Sequence, residues 1–375
     1  MGIERNMGGL TCVSAFSGGM GLDLGLERAG FKVLFAADNF PAAVDTINAN
    51  RPHLPVYSGN VEALNKAIIQ GMTGASLHDL DLLAGGPPCQ SFSTAGKRLG
   101  ASCEENGHLV FEFLRLVNEL RPKAFLMENV KGILSASLEW RQLPYNNNGK
   151  RIDKLHGSLL RAFLRKAEEI GYSVSYAELN AADYGVPQSR PRIFFIGYKD
   201  GTQPTFPAPT HSKTGDLLLP PWEKIGSVLT DLPETSYCAK FSERKVKYLR
   251  LIPAGGNWRD LPVHLQQESM GKAFYAKGGR TGYWRRLSFE ETAPTILTEP
   301  QNASTSLCHP TENRPISVRE CARIQTFPDE WIFCGKGSDQ YKLVGNAVPV
   351  KLADAVGKHI ASILAMKRSG LPKAA

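Results

Sequence analysis

Short apolar blocks separated by glycine, proline and polar residues recur through the first half of this 375-residue chain, and their order predicts its elements. Leu10 to Phe16 reads as a buried strand. In the following LDLGLERAGF, Leu22, Leu26 and Ala29 recur at helical spacing, and Gly30 fits a C-cap. Lys32 to Ala37 reads as a second strand ending at Asp38. Pro55 to Val61 reads as a third ending near Asn60, with a helix over Val61 to Gln70. Leu80 to Ala84 predicts a fourth strand. Leu109 to Leu120 is a strong amphipathic helix stopped by Arg121-Pro122, and Ala124 to Met127 is a strand with Glu128-Asn129 at its end. A helix over His156 to Ile170 and strands over Tyr172 to Leu179 and Ile193 to Tyr198 complete the alternation. Strands alternating with helices argue for an α/β domain built on a mostly parallel sheet.

From Asp200 to about Asn313 the texture changes. Prolines, glycines and aromatics become frequent, and helical period is weak outside Ser242 to Leu251. This predicts a smaller, irregular, β-containing domain. Ser317 to Gln325 reads as a helix, and residues 343–364 as a glycine turn followed by an apolar helix, with a frayed tail beyond. The expected division is 1–199 with 326–375, and 200–325.

Composition adds bounds rather than identity. Hydrophobic content of 42% and charged content of 21% suit a soluble globular protein. No apolar run approaches the roughly 18 residues of a membrane span. The opening MGIERNMGGL lacks the apolar core of a signal peptide, and nothing near the Met-Gly start supplies the second signal that stable lipid anchoring needs. The first strand begins so early that no added regulatory domain is expected before it. The seven cysteines form no CxxC pair, which argues for free thiols in a reducing cytosol and against zinc. A formal charge of +8 permits a polyanionic partner.

The candidate chemistry gathers at strand ends, where ligands collect in open α/β sheets. Strand, FSGGMG turn, helix, strand and Asp38 form a nucleotide-type arrangement. Small residues let a ligand approach the backbone, and a carboxylate at the second strand's tip bonds ribose hydroxyls. Leu24 stands where G-x-G-x-x-G needs its last glycine, which disfavours a dinucleotide dehydrogenase. In GGPPCQSFS, two prolines stiffen a turn that presents Cys89; taken alone, a tight turn with an incidental thiol explains the same letters. Asp38, Asn60, Cys89 and Glu128 all fall at strand ends. Gln188, Arg190 and Arg192 alternate, so the two arginines would share a face in extended chain. YAKGGRTGYWRR, residues 275–286, interleaves Lys277, Arg280, Arg285 and Arg286 with Tyr275, Tyr283 and Trp284, which suits phosphate and base-edge contacts.

Together FSGGMGLDLGLERAGF, GGPPCQSFS, ENV at 128–130, QSRPRIFFIG at 188–197, RPISVRECARIQTFPD at 314–329 and GNAVPV at 345–350 resemble the DNA (cytosine-5)-methyltransferases of bacterial type II restriction–modification systems. The resemblance implies a Rossmann-like methyltransferase fold, a mixed, mostly parallel sheet with helices on both faces, plus a target-recognition domain with its variable block near 200–313. It implies S-adenosyl-L-methionine as cofactor, held by Phe16, Gly18, Gly21, Asp38, Asn60, Pro88 and Asn346, and no metal. It implies Cys89 as nucleophile, with Glu128, Arg190 and Arg192 around the target base. DNA contacts would come from Gln90, Ser91, Ser93, Lys97 and Arg98 in the 90–108 loop and from Arg280, Tyr283, Arg285 and Arg286. Three positions depart from the family pattern: Met20 replaces a glycine, Asp38 a glutamate and Asn60 an aspartate.

The partners implied are double-stranded DNA and a cognate restriction endonuclease acting on the same site without stable binding. The expected setting is a cytoplasmic, nucleoid-associated monomer without membrane contact. A tRNA cytosine-5 methyltransferase shares this chemistry, but its typical Cys-Phe-Thr triplet is absent. A non-catalytic DNA-binding protein on the same fold is opposed by the presence of Cys89, Glu128 and Arg192.

Overall fold

The computed structural model describes residues 9–88, 108–136, 157–231, 236–275, 282–302, 304 and 306–368, which fall into two compact units. The first comprises Met1–Leu179, Pro191–Ala208 and Ala353–Ala375; the second comprises Asn180–Arg190 and Pro209–Leu352. These bounds are offset from the expected 199/200 and 325/326 divisions: the second unit takes Asn180–Arg190, resumes at Pro209 and runs on to Leu352.

Seven strands form one sheet: β1 (Leu10–Ala15), β2 (Phe31–Asp38), β3 (Val56–Ser58), β4 (Leu82–Gly85), β5 (Ala124–Asn129), β6 (Ser173–Asn180) and β7 (Pro191–Tyr198). Their spatial order is β3-β2-β1-β4-β5-β7-β6. β1 pairs parallel with β2 and β4, β2 with β3, and β4 with β5, while β7 runs antiparallel to β5. β4 and β5 are buried at every position, which is why they read as continuous apolar runs rather than alternating ones. Strand order reverses between β1 and β4, so a crevice opens beyond their carboxyl ends.

The flanking helices of this unit are α1 (Gly21–Arg28), α2 (Pro41–Asn50), α3 (Lys66–Thr73), α4 (Leu109–Leu120) and α5 (Ser158–Glu169). α4 buries Val110, Phe113, Leu114, Leu116, Val117 and Leu120, and Arg121 ends it in the left-handed region just before Pro122. Phe113, Phe163 and Tyr172 gather around Phe125, with Phe195 stacked edge-on to Phe163.

Two details of the helical pattern differ from expectation. α2 is absent from the sequence reading because PAAVDTINAN buries only Ala42, Ala43, Thr46 and Ile47, too little apolar contrast to show a period. The helix expected over 61–70 is split: a 3₁₀ turn covers Val61–Ala63, and α3 starts afresh at Asn65, whose side chain accepts from Ile68 N at 3.0 Å.

The second unit contains α6 (Glu243–Leu249), α7 (Val263–Met270), α8 (Val318–Ile324) and α9 (Gly337–Asn346). Its β character among the described residues is limited to isolated bridges, such as Arg286 with Cys308. Tyr248, Leu249, Ile252, Trp258, Leu261, Met270, Trp284 and Cys308 form a core of its own. α8 occupies the expected 317–325 span, with Ser317 and Glu320 making a reciprocal capping box. The glycine turn expected at the start of residues 343–364 is instead the end of α9. The break comes at Ala347, extended ahead of Pro349, and α10 (Val350–Arg368) follows. The five described cysteines are free, and no helix among the described residues is long and apolar enough to cross a membrane.

Behind the sheet, buried Asp81 accepts from Thr11 N at 2.8 Å and lies 3.0 Å from Lys123 Nζ and 2.8 Å from an Arg368 nitrogen. Burial opposes the charge, but the Thr11 bond and the two cations outweigh it and hold the carboxyl below its usual range. A depressed pKa stabilises the fold above the unfolded value of about 3.9 and loses that contribution as pH falls through the folded value. Asp81→Asn is expected to cost about 1.5–3 kcal/mol near pH 7. Thermal melts across pH should show its deficit shrinking once pH drops below about 4.

Candidate active site

Parallel pairing brings two chain exits together. Ala15 at the end of β1 lies opposite Gly85 at the end of β4. A side chain at Gly85 would put its Cβ 2.5 Å from the Ala15 carbonyl oxygen, so only glycine permits this approach. One chain then enters the loop Phe16–Met20, and the other enters Gly86-Pro87-Pro88.

The first loop is held from below. Ser17 Oγ lies 2.9 Å from Ser14 Oγ and accepts from Ala37 N at 3.3 Å, and Ser17 N donates to Ala37 O at 3.1 Å. Asp38 ends β2 and accepts from Gly18 N at 2.8 Å through one oxygen and from Phe40 N at 2.8 Å through the other. Phe16, Gly18 and Met20 all have positive φ, of 57°, 52° and 63°. Nothing lies within 4 Å of where a Gly18 Cβ would stand, so the backbone there is open to a ligand. Met20 is fully buried in the left-handed region, a conformation that costs a non-glycine residue roughly 1–2 kcal/mol. That strain is the physical content of the departure at position 20: the fold needs a left-handed residue there, and burial of the thioether offsets its cost.

Asn60 follows β3, is exposed, and accepts from Asn39 Nδ2 at 3.0 Å through its side-chain oxygen. Gly21 is buried as the first residue of α1. Asn346 is exposed at the end of α9, in the second unit.

The second exit is fastened to β5. Asn129 Nδ2 donates to Pro87 O at 3.1 Å, its Oδ1 accepts from Val130 N at 2.9 Å, and the side chain is buried. Pro88 is the last described residue of this turn, and a Cβ on Gly86 would meet Glu128 Oε2 at 3.3 Å. Arg192 Nε lies 3.1 Å from Glu128 Oε1, and both side chains are largely buried. The pair is built by register. Glu128 faces Phe194 across the antiparallel ladder, which puts Arg192, two residues away, diagonally on the same face. Burial pulls the Arg192 pKa down and Glu128 opposes that shift. A carboxylate with a fixed guanidinium beside it presents acceptor and donor edges together, suited to a planar polar heterocycle.

Two expected contacts are used otherwise. Arg190 is almost fully buried in the second unit, where it donates to Ile296 O at 3.1 Å and Gly345 O at 2.8 Å. Nearby, Gln188 bonds Gln325 at 3.2 Å and accepts from Ile296 N at 2.8 Å. Arg190 thus ties segments of the second unit together through its guanidinium. Arg286 donates to the carbonyls of Leu249, Ile252, His309 and Glu312 and to Asn313 Oδ1. A guanidinium has five N–H groups, so none is left for DNA. Tyr283 is half-buried against the second core, and Arg285 lines a cleft. Cys89, Gln90, Ser91, Ser93, Lys97, Arg98 and Arg280 lie outside the described residues.

Sequence reasoning missed two residues. Asn129 was visible only as a letter in ENV, because its partner is a backbone carbonyl 42 positions away. Asp23, in the first turn of α1, is fully buried, and its pKa is pushed up to about 7 by burial, against a Ser14 contact that lowers it. Nothing in the helical period distinguishes it from a solvated acid.

A reversed parallel order with one antiparallel strand beside β5, and a ligand crevice at the reversal, is the S-adenosylmethionine-dependent methyltransferase fold. Residues 10–362 match the C-5 cytosine-specific DNA methylase family, and the chain belongs to it. It is 39% identical to the type II methyltransferase M.PspPI of Psychrobacter sp. (strain TA137), over 94% of this chain and 79% of that one. It is 38% identical to the type II methyltransferase M.Eco47II of Escherichia coli, with the same shares covered. A solved structure of a prophage-encoded E. coli protein superposes with a TM-score of 0.66 at 25% identity, covering 95% of this chain and 99% of that one. The protein is thus a DNA (cytosine-5)-methyltransferase.

Asn129→Ala frees the proline turn and should lower kcat for methyl transfer roughly 10–100-fold, by displacing the turn from reacting distance. Cofactor KM should rise by less than kcat falls, since Pro88 rides on the same turn, which a steady-state kcat–KM split checks. Asp23 carries the opposite linkage sign to Asp81. Its raised pKa makes the folded state bind a proton that the unfolded state loses above about pH 4, so stability falls as pH rises from about 4 to 7. Asp23→Asn should therefore raise the thermal midpoint at pH 8 and change it little at pH 4.

Proposed function

We propose that this protein methylates C5 of a cytosine flipped out of a short, specific duplex sequence, through a covalent bond between Cys89 and C6. The observation that carries this reading is the Glu128–Arg192 pair at 3.1 Å on the strand to which Asn129 fastens the Cys89-bearing turn. Carbon 5 of cytosine is too electron-poor to attack a methyl donor, and addition of a thiolate at C6 makes it an enamine carbon that can. A free thiol with a pKa near 8.5 is only a few per cent ionised at pH 7, so activation by turn amides and nearby cations would help. Glu128 would hold N3 and the amino group, favouring a proton on N3 as C6 is attacked, and Arg192 would meet the O2 side. A stacked base cannot reach these groups, so it leaves the helix at a cost of a few kcal/mol.

The residues present fit S-adenosylmethionine. Gly18 leaves open backbone, each oxygen of Asp38 can take a hydroxyl beside its amide bond, and the Asn60 amide can meet an adenine edge through its oxygen but without charge. Phe16 would lie against the adenine, with Gly21, Pro88 and Asn346 completing the contacts. The bound cofactor supplies an electrophilic methyl group. The biological setting proposed is a cytoplasmic monomer that marks DNA against a restriction endonuclease cutting the same sequence.

Purified Cys89→Ser should lose methyl transfer to duplex DNA by more than about 10³-fold, the scale seen on removing a covalent nucleophile. Wild-type protein with DNA containing 5-fluorocytosine should leave an adduct that survives denaturation. Near-normal transfer by the variant would remove the covalent mechanism.

A further inference from the structure

The carboxyl ends of β2 and β3 lie side by side in the first unit. Asp38 and Ser58 are register partners, and Gly59 N donates to Asp38 O at 3.1 Å. The chain leaving β2 therefore meets the chain leaving β3 one residue past Asp38. There Asn39 Nδ2 donates to Asn60 Oδ1 at 3.0 Å, and both residues are exposed. The turn is fixed on either side of Asn60. The Tyr57 ring lies over Gly59, 2.9 Å from where a Cβ would stand, and Val61 is buried in the core. Among the described residues the two amides bond only each other. Asp38 is the ribose ligand of the proposed cofactor site, so a pair anchored one residue further along stands beside the base that the ribose carries.

What this pair offers a base differs from what the aspartate of the family pattern offers. A carboxylate only accepts, so it suits the amino group at C6 of adenine and repels an oxo group at the same carbon. An amide both donates and accepts. As found, Asn60 Oδ1 is engaged by Asn39, which leaves Asn60 Nδ2 to donate to an oxo group. Turning both amides over makes Asn60 Nδ2 donate to Asn39 Oδ1 and leaves Asn60 Oδ1 to accept from an amino group. No hydrogen bond is lost in the exchange, because neither side chain has another bond to break.

Resting on the proposed use of S-adenosylmethionine, we infer that the Asn39–Asn60 amide pair relaxes the base specificity of the cofactor site, which accepts a 6-oxopurine nucleoside as well as the 6-aminopurine. Asn60 is the specificity-determining residue. Asn39 is a positioning residue that acts through it.

The test reads binding rather than methyl transfer. Full-length protein without DNA is titrated by calorimetry with S-adenosylhomocysteine and with its 6-oxo counterpart, S-inosylhomocysteine. Wild type should hold the two within about 10-fold of each other, since neither leaves a polar group of the pair unmatched. Asn60→Asp restores an acceptor-only side chain and should raise the preference for the adenosyl compound about 10–100-fold over wild type, the span of one wrong base-edge contact. Asn39→Asp accepts from Asn60 Nδ2 alone and pins Asn60 Oδ1 as the atom left for the base, so it should raise the same preference about 10-fold. Thermal midpoints should match wild type, because both positions are exposed. Two results overturn the inference: a wild-type preference greater than about 10-fold, or an Asn60→Asp preference equal to that of wild type. If Asn60→Asp fails to fold, Asn39→Asp decides alone, a raised preference supporting the inference and an unchanged one overturning it. A wild-type protein that binds neither compound would remove the underlying cofactor reading instead, which separates the two failures.

Discussion

The first unit depends on how closely β1 and β4 approach at their carboxyl ends. Parallel pairing continues to the last residue of both strands because Gly85 carries no side chain against the Ala15 carbonyl. A Cβ there would force the two backbones apart where the strand order reverses. The glycine-rich loop and the proline turn would then leave the sheet on diverging paths. Everything proposed for the site needs these exits side by side, since in that reading one would cradle the methyl donor and the other would lead to the thiol. The constraint is steric and backbone-level, so no side-chain substitution elsewhere can replace it.

Around that junction, four buried or half-buried carboxylates take different roles because their surroundings differ. Asp38 accepts two backbone amides and so shapes the loop before any ligand arrives. Glu128 faces the Arg192 guanidinium, which fixes the orientation of its carboxylate. Asp81 is held ionised by Thr11, Lys123 and Arg368 and fastens α10 behind the sheet. Asp23 has burial with little compensation and so drifts toward the neutral acid. Sequence distance from the site predicts none of this. The number and charge of donors reaching each oxygen does.

The same distinction explains what could be read from the chain. β1, α1, β4 and β5 were legible because their signals are local: apolar runs and a C-cap glycine. α2 was not, because small alanines and polar residues give its buried face no contrast. The boundary between α9 and α10 was misplaced because Gly345 invites a turn, yet the helix holds to Asn346 and breaks before Pro349. The alternation of Arg190 and Arg192 gave no sign that their guanidinium groups have different partners, backbone carbonyls for one and a carboxylate for the other, because those partners lie far away in sequence.

Arginine is therefore the residue type whose role a linear reading assigns least safely here. Arg286 and Arg285 are neighbours in the same basic, aromatic stretch, and letters alone make them equal candidates for DNA. Five donors reaching carbonyls and an amide oxygen between residues 249 and 313 remove Arg286 from that list, and those partners come together only on folding. That exclusion follows from counting donors, with no appeal to net charge.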